Sequence, residues 1–306
     1  MALHRLSSVT IGVPEPEPLT VYYTEFGLSP DEGSSFSTLD GGRQLIIQQA
    51  PTRRLVEMVV GVDDRDDLAR VVAALTAGGH QPELEGDAVR VVEPETGVQV
   101  VLQVSPRLTQ QPPATTEIYN VPGRPARVGR RSPAVLRDGR VRPRKLGHVV
   151  ITTTNVSATS VFFTDLIGFK ISDYIGDVGV FLRCSTDHHN LLLLEAPLVY
   201  LHHTAWQVDD IDEVGRGASS LLEGHPERHV WGLGRHHAGS NFFWYLRDPA
   251  GNYSEYYADL DVIPEDEAWI PESHAGHLGL YNWGPTPPDI FLRPDDLMEL
   301  AEKQRG

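Results

Sequence analysis

Glu255 stands among aromatic residues in Asn252-Tyr253-Ser254-Glu255-Tyr256-Tyr257, a run whose residue types predict a β-strand. A carboxylate buried there without a partner would be costly, and coordination of a divalent cation is one way to offset that cost. Two upstream histidines sit in comparable apolar strands. His148 lies in Leu146-Gly147-His148-Val149-Val150-Ile151, and His203 in Leu201-His202-His203-Thr204-Ala205-Trp206. The spacings of 55 and 52 residues are too long for a local motif. The three side chains can meet only if three strands of one sheet align. Two imidazoles and one carboxylate would leave one face of a divalent ion open, the arrangement used by non-haem Fe(II) oxygenases.

The segment before Glu255 carries further reactive groups. Gly234-Arg235-His236-His237 reads as a loop, Asn241–Leu246 as an apolar strand containing Tyr245, and Asp248-Pro249-Ala250-Gly251 as a turn. A second histidine doublet is His188-His189. Strand parity puts His203 and His202 on opposite faces, whereas in the His188-His189 and His236-His237 doublets a slip of one residue switches faces and both members stay candidates. His225, His229, His274 and His277 show no ligand spacing and are expected at the surface. Trp231, Phe181 and Trp283 are candidate pocket walls, and nothing near Cys184 marks it as a nucleophile.

The elements that would position these residues repeat along the chain. In the first half the order β-α-β-β-β occurs twice, with strands at 5–13, 35–39, 44–48, 54–62, 88–92 and 98–104. Helices are expected at 19–26 and 64–77, the latter with Leu68, Val71, Val72 and Leu75 on one face. From Leu146 the order returns, with strands at 146–153, 179–183, 190–195 and 201–207 and helices at 158–167 and 211–222. The repeat aligns Ser8, Glu57 and Val101 with His148, His203 and Glu255, so only the second copy can hold a metal. The expected organisation is a first domain over 1–104, a linker over 105–145, a site-bearing domain over 146–258 and a tail over 259–306. Eight linker arginines between Arg124 and Arg144 are read as partners of an otherwise acidic surface. The aromatic tail is expected to pack back on the second domain.

Composition bounds the function. The 306 residues are 40% hydrophobic and 22% charged, enough for an ordinary core in about two domains. A net charge of −16 argues against nucleic acid or an anionic membrane as partner. No apolar run reaches the roughly 18 residues needed to span a bilayer. One cysteine excludes an intrachain disulfide framework and fits a reducing compartment, so a cytoplasmic location is expected.

On these residues the chain resembles the two-domain type I extradiol ring-cleavage dioxygenases of the vicinal oxygen chelate superfamily. Gly234-Arg235-His236, Tyr245, Asp248-Pro249, Gly251 and Glu255 match that family's spacing, as do Leu146-Gly147-His148, the His203 strand and His188-His189-Asn190. Trp244 and Asn190 depart from the family pattern without removing a reactive group. The resemblance implies an α+β fold of two domains, each of paired βαβββ modules forming an incomplete barrel. It implies His148, His203 and Glu255 as ligands of Fe(II), although Mn(II) suits the same donors. It implies His189 as acid/base, with His236 and Tyr245 bonding to the substrate or the reacting oxygen. A catechol-type substrate, O2 and a homo-oligomeric assembly follow as expectations. Two other readings use the same scaffold: a non-redox metal-dependent isomerase, epimerase or lyase, and a ligand-sequestering protein. The first would spread its ligands over paired modules, and the second needs no acid/base set.

Overall fold

Short runs of β-branched and aromatic residues between Gly- and Pro-rich turns fold each half of the chain into a sheet. The computed structural model describes residues 3–113, 118–265 and 268–305. Its first half contains β1 (Leu3–Val13), helix α1 (Pro16–Glu25), β2 (Ser29–Asp31), β3 (Ser35–Thr38), β4 (Gly42–Gln49) and β5 (Arg54–Val62). Helix α2 (Arg65–Ala77), β6 (Glu83–Glu85), β7 (Ala88–Val92) and β8 (Gln99–Val104) follow. The strand order is β2-β3-β4-β1-β5-β8-β7-β6.

The second half contains β9 (Lys145–Thr153), helix α3 (Val156–Val161), β10 (Lys170–Ile175), β11 (Gly179–Arg183), β12 (Leu191–Glu195) and β13 (Leu201–Gln207). Helix α4 (Ile211–Leu222), β14 (His229–Arg235), β15 (Phe242–Arg247) and β16 (Tyr253–Ala258) complete it. The order β10-β11-β12-β9-β13-β16-β15-β14 repeats that of the first sheet, and β17 (Glu272–His274) from the tail adds beside β10. Among the described residues neither sheet closes on itself, so each remains an open array.

Register carries the repeat down to single residues. In the first sheet Ser8 faces Val59 across β1 and β5, and Val59 faces Val101 across β5 and β8. In the second, His148 faces Ala205 across β9 and β13, and Ala205 faces Glu255 across β13 and β16. Glu57 and His203 therefore hold equivalent places, two residues before the central pair.

Several short elements escape sequence patterning. β2 and β6 are three-residue edge strands with mostly exposed side chains, so they carry little alternation. β10 is interrupted by Asp173, and β14 by Gly232 and Gly234. The helix expected over 158–167 divides, α3 passing into a wider π-helical turn over Phe162–Ile167. That turn brings the adjacent Phe162 and Phe163 both into the core, and Gly168 ends it at φ 101°.

Both halves share one apolar core. Phe26 at the end of α1 stacks on Tyr256 of β16 with ring centroids 3.9 Å apart, and Tyr256 Oη donates to the Phe26 carbonyl at 2.5 Å. The Tyr22 and Ser254 hydroxyls share a hydrogen bond of 2.5 Å. From the segment that connects the sheets, Arg137 pairs with Asp210 of the second half at 2.5 Å and Arg144 with Asp40 of the first at 2.7 Å. The tail adds α5 (Asp289–Leu292) and α6 (Leu297–Arg305).

Candidate metal centre

Three central strands of the second sheet, β16, β13 and β9, are neighbours and bring Glu255, His203 and His148 together. One ligand atom from each lies within 4.8 Å of the others, and all three residues are buried. Gly147 permits this packing, because a Cβ there would overlap the Tyr257 hydroxyl at 1.9 Å. Glu255 Oε1 accepts from Asn241 Nδ2 at 3.1 Å, which leaves Oε2 facing the imidazoles. His148 Nε2 lies 3.1 Å and His203 Nε2 3.5 Å from that oxygen.

Hydrogen bonding decides where the protons sit. His202 Nε2–H donates to the Phe291 carbonyl at 2.7 Å. Burial pushes His202 down to about 4, so it is neutral at pH 7 and its Nδ1 accepts from His203 Nδ1–H at 2.7 Å. The His203 Nε2 then carries a lone pair directed at a carboxylate oxygen. Burial foremost, then His202, His148 and His236, hold His203 well below the usual imidazole range, so protonation does not relieve this opposition. Two buried acceptors facing one another call for a cation between them. The donor set of two imidazole nitrogens and one carboxylate oxygen fits a divalent transition ion such as Fe(II) or Mn(II).

The second doublet is built the same way. The Asp173 carboxylate lies 3.2 Å from His188 Nε2, and His188 Nδ1 lies 3.1 Å from His189 Nδ1. His188 Nε2 donates to Asp173, and the contact between the two Nδ1 atoms turns the His189 Nε2 to the cavity. The His189 ring lies 4.2 Å from that of His148, centroid to centroid. Burial, followed by the charge of His148 and its neighbours, holds His189 well below the ordinary histidine range.

His236 donates from Nδ1 to the Leu280 carbonyl, so its Nε2 accepts the Tyr245 hydroxyl at 2.8 Å. Tyr245 is pushed well up by burial and by Glu255, and Trp231 stacks on it at 5.6 Å between centroids. His148, His203, His189, His236 and Tyr245 all line one cavity of about 560 Å³. Of the other doublet members His202 also lines the cavity, while His188 and His237 point elsewhere. His188 faces Asp173, whereas His237 is exposed against His274.

Phe181 and Trp231 line the cavity, whereas Trp283 does not, being held on the outside by Arg235 and Phe242. The surface expectation for His274 is corrected: β17 buries it, with Nε2 3.0 Å from Asp173. Sequence reasoning also left unassigned the groups that fix protons, namely His188, His202, Asp173 and two tail carbonyls. The doublets were a signal for the histidines. Backbone carbonyls of a remote tail leave no sequence trace.

Comparison with known proteins bears on this site. Residues 145–256 match the model of the Glyoxalase/Bleomycin resistance protein/Dioxygenase superfamily. Metapyrocatechase 2 of Cupriavidus necator is 38% identical over 199 residues, 63% of this chain and 60% of that protein. A manganese-dependent 2,3-dihydroxybiphenyl 1,2-dioxygenase of Geobacillus genomosp. 3 is 29% identical over 47% of this chain and 50% of its own length. An iron-dependent extradiol dioxygenase of Rhodococcus jostii is 30% identical over 45% and 50% respectively. The chain thus spans 60% or less of the length of these relatives. A Mn(II)-bound glyoxalase from Novosphingobium aromaticivorans superposes with a TM-score of 0.73 at 25% identity, over 94% of this chain and 93% of that one. A 2,2',3-trihydroxybiphenyl 1,2-dioxygenase from Sphingomonas wittichii has the same fold, with a TM-score of 0.71 at 19% identity, over 94% of this chain and all of its own.

Proposed function

We propose a function for a chain that belongs, through residues 145–256, to the Glyoxalase/Bleomycin resistance protein/Dioxygenase superfamily: it opens the ring of a catechol-type substrate beside the diol, inserting both atoms of O2. One observation carries the reading. The His203 lone pair opposes the Glu255 carboxylate next to His148, in a cavity that also holds an unprotonated His189 and the His236–Tyr245 pair. A metal site used only to bind or to isomerise has no need of all three of those groups. The names of the relatives, a metapyrocatechase and biphenyldiol and extradiol dioxygenases, support the same class.

His148, His203 and Glu255 would hold the ion, with Fe(II) proposed and Mn(II) suited to the same donors. Bound there, the ion would supply Lewis acidity and a template for diol and oxygen. The protein's own groups handle the protons. His189 Nε2 takes a phenolic proton: burial leaves its imidazole neutral, and a diol acidified by the bound ion would match so weak a base. Tyr245, donating to His236 Nε2, keeps a proton beside Glu255 and can orient a substrate oxygen. Trp231 and Phe181 wall the ring and keep water away.

The test is anaerobic loading with Fe(II) or Mn(II), followed by catechols in aerated buffer. Oxygen uptake and the yellow ring-opened product are recorded together. Stoichiometric uptake with product, lost in His203→Ala, is expected. Metal binding without oxygen uptake on any diol would favour a non-redox enzyme, a reading that the Mn(II)-bound glyoxalase keeps in view. Failure to bind either ion sinks the site.

A further inference from the structure

The cavity extends well beyond the space that a diol ring occupies. His148, Val150 and Thr152 alternate onto one face of β9, and parallel pairing sets Leu192 beside Val150 and Leu194 beside Thr152. Phe181 lies across from Leu192, and Gly179 from Leu194, so β11 continues the same wall. From His148 to Thr152 the strand advances about 13 Å. An apolar cavity of about 150 Å³ accommodates a benzene ring, whereas this one measures about 560 Å³. The tail closes another side with Leu280, Phe291 and Leu292.

Charge is distributed just as unevenly. Among the described residues no Lys or Arg lines the cavity. Its rim carries Asp177 and Glu195, both exposed. A carboxylate brought in on a substituent would lose its water with no Lys or Arg beside it to pair with, and it would pass two anionic side chains on the way.

We infer that the substrate is a catechol with an uncharged, apolar substituent at least the size of a second ring, and that carboxylated catechols are excluded. The inference rests on the ring-opening reading above. In this arrangement Val150, Leu192, Leu194 and Phe181 select for bulk, while Asp177 and Glu195 select against negative charge.

Two matched pairs test it with the Fe(II)-loaded protein: 3-(2,3-dihydroxyphenyl)propionate with its methyl ester, and 3,4-dihydroxyphenylacetate with its methyl ester. Catechol and 2,3-dihydroxybiphenyl are run alongside. In the pair that is turned over, the ester is expected to exceed the acid at least ten-fold in kcat/KM, and 2,3-dihydroxybiphenyl to exceed catechol. Leu194→Arg is expected to raise the acid-to-ester ratio ten-fold or more, and Leu194→Trp to lower the biphenyl-to-catechol ratio by as much. Acids that match or outrun their esters overturn the inference and leave ring opening intact. No oxygen uptake on any diol overturns the parent reading instead. Anaerobic titration of tryptophan fluorescence then reads the same ester-over-acid preference as affinity, and its absence there overturns the inference too.

Discussion

A histidine that ligates through one nitrogen needs its proton on the other, and His203, as a proposed ligand, would meet this need by pairing with another histidine. His202 has a free acceptor at Nδ1 only because its Nε2–H is spent on the Phe291 carbonyl. Replacing it by an apolar ring removes the group that fixes the tautomer of a ligand. His202→Phe is therefore expected to weaken Fe(II) or Mn(II) binding about 10- to 100-fold, measured by chelator competition, since outer partners of ligating histidines have effects of that size. The same histidines make the metal-free protein sensitive to acid. His202 has a folded pKa of about 4, below the value of about 6.5 for a free imidazole. The unfolded chain thus binds the proton more readily, and stability is lost as pH falls from about 6.5 toward 4. Between pH 7.5 and 5.5 this residue alone should remove about 1 kcal/mol, read by urea denaturation at the two pH values. His189, His203 and His236 are shifted in the same direction and deepen the loss.

Strand β9 depends on a glycine where Tyr257 crosses it. Gly147→Ala places a methyl group against the tyrosine ring and hydroxyl. Overpacking of this kind should cost about 1–3 kcal/mol in a denaturation experiment. Among the described residues the buried Tyr257 hydroxyl has no hydrogen-bond partner, so Tyr257→Phe should be near neutral alone and should recover part of the loss in the double variant. At this scale the sequence was most legible in β1, β5, β9 and β13, where apolar residues recur along a strand of seven residues or more. Strands β9, β13 and β16 bring His148, His203 and Glu255 into one cluster, at the places that Ser8, Glu57 and Val101 hold in the first half. β14 was illegible, since Gly232 and Gly234 break its pattern. β17 was too, because three residues joined to a distant strand carry no period. With β17 went the burial of His274 and its contact with Asp173.

Across the whole molecule, Arg53 ties three distant segments together. Its guanidinium donates to Asp296 in the tail at 2.5 and 2.8 Å and to the Leu201 carbonyl at the start of β13 at 2.7 Å. The Arg53 side chain is 2% exposed and that of Asp296 22%. Arg53→Met should cost about 3 kcal/mol, because Asp296 would be left largely buried and unpaired. The tail should also become sensitive to limited proteolysis, with cleavage products mapped by mass spectrometry. The repeated register has a consequence for engineering. The first sheet keeps a cavity of about 610 Å³ around Ser8, Glu57 and Val101, the places that histidine, histidine and glutamate occupy in the second. Glu57 is already neutralised there by Arg90 at 3.0 Å. Ser8→His, Glu57→His and Val101→Glu, combined with Arg90→Leu, should therefore graft a second ion site onto a backbone that needs no redesign. Equilibrium dialysis is then expected to count two divalent ions per chain against one for the parent, making the first half a built-in blank on which the proposed ion site can be rewritten without disturbing the original.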